Sequence, residues 1–133
     1  MMRGRADRAS VLLIEDGAAI ADMYRRQLEL DGYEVNVCSS AESALASVEA
    51  GAPDIILMDI WLQGMDGIEG LKALNEGLGT KAPPVLVLTN FSDPELMVNA
   101  LKLGARDYML KSRTTPAALS NRVRELLAGR TTE

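Results

Sequence analysis

The sequence is short of the residues on which many enzyme sites depend. Its 133 residues include no histidine, one cysteine and five aromatic residues. Without histidine, neither a Ser-His nor a Cys-His nucleophile can form, and no histidine-ligated zinc site is possible. The lone Cys38 has no second cysteine in the chain with which to form a disulfide, and we expect it to be a small buried residue.

Long apolar runs are absent as well. No stretch of the sequence approaches the roughly 18 apolar residues of a membrane span. The basic segment Met1–Ala9 lacks the apolar region of a signal peptide. We therefore expect a cytoplasmic protein that does not contact a membrane.

The remaining composition is that of one ordinary globular domain. Hydrophobic residues make up 47% of the chain and charged residues 25%. A chain of this length is expected to form a single domain with one core region. The net charge of −5 argues against direct nucleic-acid binding, because phosphate contacts need a clustered cationic surface.

Short apolar runs followed by polar residues are the most informative feature. Such runs are typical of strands buried on both faces of a parallel sheet. The carboxyl ends of parallel strands line one crevice, where ligands bind. The runs and the residues that follow them are Val11–Ile14 before Glu15 and Asp16, Ile55–Met58 before Asp59, Val85–Leu88 before Thr89, and Tyr108–Leu110 before Lys111.

Three carboxylates, one hydroxyl and one ammonium are thus expected to converge. Carboxylates held roughly 5 Å apart repel by about 3 kcal/mol per pair at an effective dielectric near 20. A divalent cation usually offsets such a cluster, and an all-oxygen ligand set favours Mg²⁺, Mn²⁺ or Ca²⁺ over zinc. A lysine and a threonine at the same place suit the oxygens of a transferring phosphoryl group. The pattern indicates an aspartate that accepts a phosphoryl group.

Helical patterns alternate with the strands five times. A doubly wound five-stranded parallel sheet follows if the crossovers are right-handed. The Ser39 and Glu42 pair predicts a capping box. Asp93 and Thr115 are expected to cap the last two helices, each with a proline at the first helical position. The predicted helices are Ala18–Leu30, the segment from the capping box through Glu49, Asp66–Glu76, which Gly77 and Gly79 are expected to break, and the segments that begin at Pro94 and Pro116.

In this order and spacing, the motifs resemble the receiver domains of two-component response regulators, including the single-domain chemotaxis type. The resemblance covers residues 9–129, with a short basic extension at 1–8 and a tail at 130–133. It implies a flavodoxin-like α/β fold with strand order 2-1-3-4-5 and five flanking helices. It also implies a signalling module rather than an enzyme.

The resemblance assigns roles at the acidic end of the sheet. Asp59 corresponds to the phosphoacceptor and Asp16 to the principal acidic ligand of Mg²⁺, which Mn²⁺ can replace. Glu15 would act mainly through a metal-bound water, and Trp61 would offer its backbone carbonyl to the metal. Trp61 and Phe91 also occupy the positions that tune acyl-phosphate lifetime in the family. Because both are bulky and apolar, we expect slow autodephosphorylation.

Further roles follow from the same resemblance. Thr89 would bind a phosphoryl oxygen, Lys111 would pair with the phosphoryl group, and Tyr108 matches the aromatic residue that swings inward on activation. Thr89 and Tyr108 together form the expected switch. The switch is expected to change a surface formed by the last two helices and strand five, to which Leu96, Met97, Ala100 and Leu101 contribute.

Several positions depart from the family's commonest pattern. Ser112 replaces a proline that follows the lysine and marks a cis peptide bond, so either the loop becomes trans or it holds strain. Asn90 replaces a small residue and is expected to narrow access for the phosphodonor. Arg106 stands where many DNA-binding members carry an acid in their dimerisation network, which weakens the case for that type of dimer.

Partners are expected to be other proteins. With no histidine in this chain, a phosphohistidine donor must belong to a sensor histidine kinase or a phosphotransfer protein. The family's kinase docks near the positions of Ala18, Ala19, Asp22 and Arg25. The downstream target is left open, as is the choice between a monomer and a phosphorylation-dependent dimer. The sequence also fits either a stand-alone receiver or the receiver of a longer regulator or hybrid kinase.

Two other classes of protein stay open. One is a receiver-like interaction scaffold that is never phosphorylated. The other is a different doubly wound module, such as a flavin-binding domain or an aspartyl-phosphate hydrolase. The haloacid-dehalogenase type needs a second aspartate two residues after the nucleophile, where this chain has Trp61. The sequence also lacks a GxxxxGK phosphate-binding loop.

Overall fold

Five parallel strands form the centre of the molecule. The structure, a computed structural model, describes residues 8–60, 67–78, 83–90 and 94–131. Within these residues the strand order is β2-β1-β3-β4-β5, and each neighbouring pair is parallel. The predicted doubly wound sheet is confirmed. The strands are β1 (Ser10–Ile14), β2 (Glu34–Cys38), β3 (Ile55–Asp59), β4 (Val85–Thr89) and β5 (Ala105–Leu110).

Helices connect the successive strands, as the alternating pattern predicts. None of the helices in the described ranges is both long and apolar enough to cross a membrane. A single 3₁₀ turn, Lys111–Arg113, links β5 to the last helix. The helices are α1 (Ala18–Leu30), α2 (Ala41–Ala50), α3 (Gly67–Leu78), α4 (Pro94–Lys102) and α5 (Pro116–Thr131).

The core has two halves, one on each face of the sheet. Because side chains alternate along a strand, neighbouring residues of β1 contribute to opposite halves. Leu12 and Ile14 pack with residues of α2, α3 and α4, whereas Val11 and Leu13 pack with residues of α1 and α5. Burial on both faces explains why β1, β3 and β4 appear in the sequence as uninterrupted apolar runs.

The two edge strands are less buried than their sequences suggest. The run Tyr108–Leu110 was expected to be buried on both faces, but Tyr108 is exposed and the other two residues are half-buried. This expectation was wrong because β5 lies at the edge of the sheet and has only β4 beside it. Cys38 ends the other edge strand, β2, and is half-buried rather than buried.

Hydroxyl side chains set the starts of two helices. The capping box predicted from Ser39 is wrong by one residue, since the Oγ of Ser40 accepts the Ser43 amide proton at 3.1 Å and α2 begins after it. Ser40 has the extended backbone that an N-cap needs. At α5 the prediction is confirmed, because Thr115 Oγ1 accepts from the amide of Ala118 at 3.1 Å.

The bounds of the third and fourth helices also test the sequence patterns. Helix α3 runs over Gly67–Leu78, so Gly77 lies within the helix instead of breaking it. The predicted start at Asp66 falls outside the described residues, as does the cap expected before Pro94. Pro94 is the first residue of α4, as expected.

Candidate functional site

The strand register brings the polar residues that follow β1, β3, β4 and β5 to the same edge of the sheet. Ile14 pairs with Met58 in the ladder between β1 and β3, which sets Glu15 beside Asp59. Thr89, at the end of β4, pairs with Leu110, which directly precedes Lys111 in the sequence. The crevice expected from the sequence is therefore present in the described residues.

Three carboxylates form a compact cluster there. Glu15, Asp16 and Asp59 each offer one oxygen, and these oxygens lie within 4.8 Å of one another. Glu15 and Asp59 are 3% and 5% exposed, whereas Asp16 is open to solvent. The backbone amide of Gly17 donates to Glu15 Oε2 at 3.0 Å. The cluster is thus built from two buried acids and one that faces the medium.

Lys111 connects the two buried acids. Its Nζ donates to Asp59 Oδ2 at 2.9 Å and also to Glu15 Oε1, and its side chain is only 6% exposed. Burial alone would lower the pKa of Lys111, but the hydrogen bonds to Glu15 and Asp59 outweigh it and raise that pKa. The lysine is therefore held in its charged form between the carboxylates.

Burial acts in the opposite direction on Glu15. Removal from water raises the pKa of Glu15, against the lowering effects of the hydrogen bonds from Lys111 and the Gly17 amide. The nearby charge of Asp59 raises it further. The site consequently places a carboxylate where negative charge is costly unless a cation lies close by.

The donor set fits a hard divalent cation. Three carboxylates outnumber the single ammonium of Lys111, so the cluster carries excess negative charge. The oxygens of Glu15, Asp16 and Asp59 are close enough to share one ion, and oxygen ligands are those that Mg²⁺ and Mn²⁺ prefer. Solvent access at Asp16 suits Mg²⁺, which keeps several waters when it is bound by proteins.

The other predicted site residues are distributed unevenly. Thr89 is completely buried at the end of β4, beside this cluster. Tyr108 lies two residues before Leu110 on β5 and is 40% exposed, so it stands outside the cluster. Trp61 and Phe91 lie outside the described residues. The structure thus brings Glu15, Asp16, Asp59 and Lys111 into contact and places Thr89 at the end of the strand next to β3.

Sequence reasoning missed the turn that carries the lysine. All peptide bonds in the described residues are trans, so Ser112 follows Lys111 in a trans 3₁₀ turn, and Lys111 still reaches Asp59. Thr114, which is 8% exposed, donates from Oγ1 to the carbonyl of Leu110 at 2.5 Å. No periodicity marks such a bond, and only the Thr-Thr-Pro sequence hints at a turn there.

Comparison with known proteins agrees with this arrangement. The family model described as the response regulator receiver domain matches residues 11–124. The chain belongs to this family. Over 114 residues it is 37% identical to the transcriptional regulatory protein ZraR of Salmonella typhimurium, which covers 84% of this chain and 24% of the relative.

Other receiver-domain proteins show the same likeness. The alkaline phosphatase synthesis transcriptional regulatory protein PhoP of Bacillus subtilis is 35% identical over 117 residues, which is 88% of this chain and 48% of the relative. The chain therefore spans half or less of these two relatives. A CheY-like receiver domain protein from Methanospirillum hungatei superposes with a TM-score of 0.88 at 28% identity, covering 95% of this chain and 98% of that one.

Proposed function

We propose that this chain is a phosphorylation-switched receiver domain in which Asp59 accepts a phosphoryl group. The observation that carries the proposal is the position of Lys111 Nζ, 2.9 Å from Asp59 Oδ2 within a buried acid cluster. A lysine and a divalent cation beside one carboxylate would offset the charge that develops during phosphoryl transfer. The receiver unit proposed here is residues 9–129.

The proposed reaction is an in-line displacement at phosphorus. A carboxylate oxygen of Asp59 attacks the phosphorus atom of the donor, and an aspartyl phosphate forms. The P–N bond of a phosphohistidine, or the P–O bond of acetyl phosphate, breaks, and the departing imidazole or acetate keeps the electron pair. Lys111 offsets the negative charge on the phosphoryl oxygens, and the hydroxyl of Thr89 binds one of them.

The acid cluster would hold Mg²⁺ for this reaction. Asp16 and Asp59 would be direct ligands and Glu15 would act through a metal-bound water, with the backbone carbonyl of Trp61 completing the protein ligands. When bound, the cation neutralises charge on the phosphoryl oxygens and orients them for attack. Mn²⁺ satisfies the same oxygen donors.

The proposed response lies on α4, β5 and α5. After transfer, Thr89 would move toward the phosphoryl group and Tyr108 would enter the space this opens, which biases the surface between two states. Of the α4 residues expected on that surface, Met97 and Ala100 are buried core residues, Leu96 is half-buried and Leu101 is 43% exposed. Leu101 is therefore the best placed of the four to meet a target.

The proposed phosphodonor is a sensor histidine kinase or a phosphotransfer protein in the cytoplasm. Docking near α1 is supported by the exposure of Ala18 and Ala19 beside the acid cluster. Asp22 and Arg25 are half-buried on the same helix and form an ion pair with each other. The related transcriptional regulators support a role in signal-dependent regulation, and the target of this chain is a separate question.

Slow loss of the phosphoryl group is also proposed, because Trp61 and Phe91 are bulky apolar residues at the positions that tune lifetime. The half-life of the phosphoprotein should fall when Trp61 is changed to Asn, which would admit water and position it. The decay can be followed by intact-protein mass spectrometry. A rapid decay that Trp61→Asn leaves unchanged would contradict this part of the proposal.

Fluorescence of Trp61, the only tryptophan, offers a test of the whole proposal. Mg²⁺ should give a saturable change, and beryllofluoride, a phosphoryl mimic, should give a further change that Asp59→Asn abolishes. Asp54→Asn is the matched control, because Asp54 lies just before β3, at the opposite end from Asp59, where it accepts from the Ser10 amide. No response in a folded wild-type protein would favour the unphosphorylated scaffold.

A further inference from the structure

The turn that carries Lys111 is closed by one side chain. Lys111 begins the 3₁₀ turn Lys111–Arg113, and Thr114 lies immediately after it. The hydroxyl of Thr114 donates to the carbonyl of Leu110 at 2.5 Å, and the amide of Thr114 donates to the carbonyl of Lys111 at 3.3 Å. Two hydrogen bonds from Thr114 thus hold the carbonyls of Leu110 and Lys111, which lie on either side of the Lys111 Cα.

The neighbouring threonine performs a different task. Thr115 Oγ1 accepts from the amide of Ala118 and so caps α5, and Thr115 is exposed whereas Thr114 is buried. The hydroxyl of Thr114 points back toward β5, and that of Thr115 points forward into the helix. The cap on α5 therefore does not require Thr114, and the hydrogen bond from Thr114 to Leu110 serves a different purpose.

We propose that Thr114 is a positioning residue for Lys111. The lysine Nζ must meet both Asp59 and Glu15 while its backbone leaves the edge strand β5 through a single turn. With Ser112 in the next position, no ring restrains the turn, because serine leaves φ free where proline would fix it. The Thr114 hydroxyl supplies that restraint by tying the turn to the last residue of β5.

This inference rests on the proposed function, since it concerns the lysine that would meet the phosphoryl group. Displacement of a charge-stabilising group by about 1 Å can slow a reaction by as much as about 100-fold. The acids that would hold Mg²⁺ lie on other strands, since Glu15 and Asp16 follow β1 and Asp59 ends β3. Loss of the Thr114 hydroxyl should therefore affect phosphoryl transfer much more than Mg²⁺ binding.

The test compares four proteins: wild type, Thr114→Val, Thr114→Ser and Thr115→Val. Valine keeps the shape of threonine but not the hydroxyl, and serine keeps the hydroxyl. With acetyl phosphate and Mg²⁺, Thr114→Val should be phosphorylated roughly 10-fold to 100-fold more slowly, and its Mg²⁺ affinity should change much less. Thr114→Ser and the matched control Thr115→Val should both react at the wild-type rate.

A double-mutant cycle separates positioning from general destabilisation. In a Lys111→Ala background the effect of Thr114→Val on the rate should shrink to about twofold or less, because the group that it positions is gone. An equal loss in both backgrounds would overturn the inference, as would a wild-type rate in Thr114→Val. If circular dichroism shows that Thr114→Val is unfolded, the same cycle is run with Thr114→Ala.

A spectroscopic readout keeps this inference distinct from the proposed function. The protons on Lys111 Nζ should exchange slowly with solvent in the wild type, because the ammonium is buried between two carboxylates. ¹⁵N-detected NMR of Nζ measures this protection from exchange. That protection should fall in Thr114→Val and persist in Thr115→Val, whether or not the protein accepts a phosphoryl group. Equal protection in both variants would overturn the inference, and failure of wild-type phosphorylation would overturn only the proposed function.

Discussion

The acid cluster and the face formed by α4 and β5 differ in how their side chains are held. In the cluster, Glu15, Asp59 and Lys111 are almost fully buried and are joined by ion pairs. On the other face, three large apolar side chains are exposed to between 40% and 48%, namely Val98, Leu101 and Tyr108. One region is fixed before any ligand arrives, and the other leaves apolar surface open to solvent.

The contrast indicates that the acid cluster and the α4 and β5 face have different roles. Buried charges need fixed partners, because an unpaired charge in the interior is costly, and fixed partners are what phosphoryl transfer requires. Exposed apolar side chains on α4 and β5 contribute less to folding, and they lie on the face that is proposed to meet a second protein. Under the proposed function, chemistry at one end of the sheet and recognition at its edge can therefore be changed separately by mutation.

The largest effect is expected from Lys111→Met, which removes the ammonium that contacts both Asp59 and Glu15. Phosphorylation by acetyl phosphate should slow by about 100-fold to 1000-fold, the usual loss when a transition-state charge partner is deleted. The rate is measured by intact-protein mass spectrometry. Lys72→Met on the exposed side of α3 is the control, and a similar loss there would contradict the assignment.

The core beneath the cluster should be far more sensitive than the α4 and β5 face. Leu57→Ala removes a fully buried side chain of β3 and should lower the free energy of unfolding by about 3 kcal/mol. Leu101→Ala is the matched substitution on the exposed face and should change it by less than about 0.5 kcal/mol. Urea unfolding compares the two, and equal losses would remove the contrast.

A smaller and more selective effect is expected from Tyr108→Ala. Since Tyr108 lies outside the cluster and is 40% exposed, Mg²⁺ binding and the rate of phosphorylation should not change. Hydrogen exchange should show a weaker phosphorylation-dependent response in α4 and β5 than in the wild type. A wild-type response would mean that Tyr108 takes no part in the switch.

The smallest effect concerns the contact between α5 and Asp31, the residue that follows α1. Ser120 donates to Asp31, and this bond, with one from Gln27, holds the pKa of Asp31 below its usual range. The bond therefore stabilises the fold at pH values above the pKa of Asp31 in the unfolded chain. This stabilisation is lost as the pH falls through the lower pKa that Asp31 has in the folded protein. Ser120→Ala should destabilise the protein slightly near neutral pH and should not do so in acid. A pH-independent loss in urea unfolding would contradict this.

Burial explains which features could be predicted from sequence. Strands β1, β3 and β4 are covered on both faces, so their apolar runs mark both the strands and the polar residues that follow them. The prediction that β5 is buried on both faces is wrong, because three apolar residues in a row do not reveal that the strand lies at the edge of the sheet, where Tyr108 faces solvent. The predicted cap, Ser39, lies one residue before the observed cap, Ser40, because a serine at either position could cap the helix.

The geometry of the lysine turn was beyond sequence reasoning for a different reason. The resemblance supplied a proline-containing loop, and Ser112 showed only that this loop must differ. The bond from Thr114 to Leu110 depends on a 3₁₀ turn whose shape is set by how β5, α5 and the acid cluster pack together. Local propensities contain no information on this tertiary packing.

The most direct test of phosphorylation at Asp59 is to locate the phosphoryl group. After reaction with acetyl phosphate and Mg²⁺, borohydride reduction converts an aspartyl phosphate to homoserine, which peptide mass spectrometry can place in the sequence. Homoserine is expected at Asp59 in the wild type and in Asp54→Asn, and at no position in Asp59→Asn. Homoserine at another position, or none in a folded wild-type protein that binds Mg²⁺, would contradict phosphorylation at Asp59.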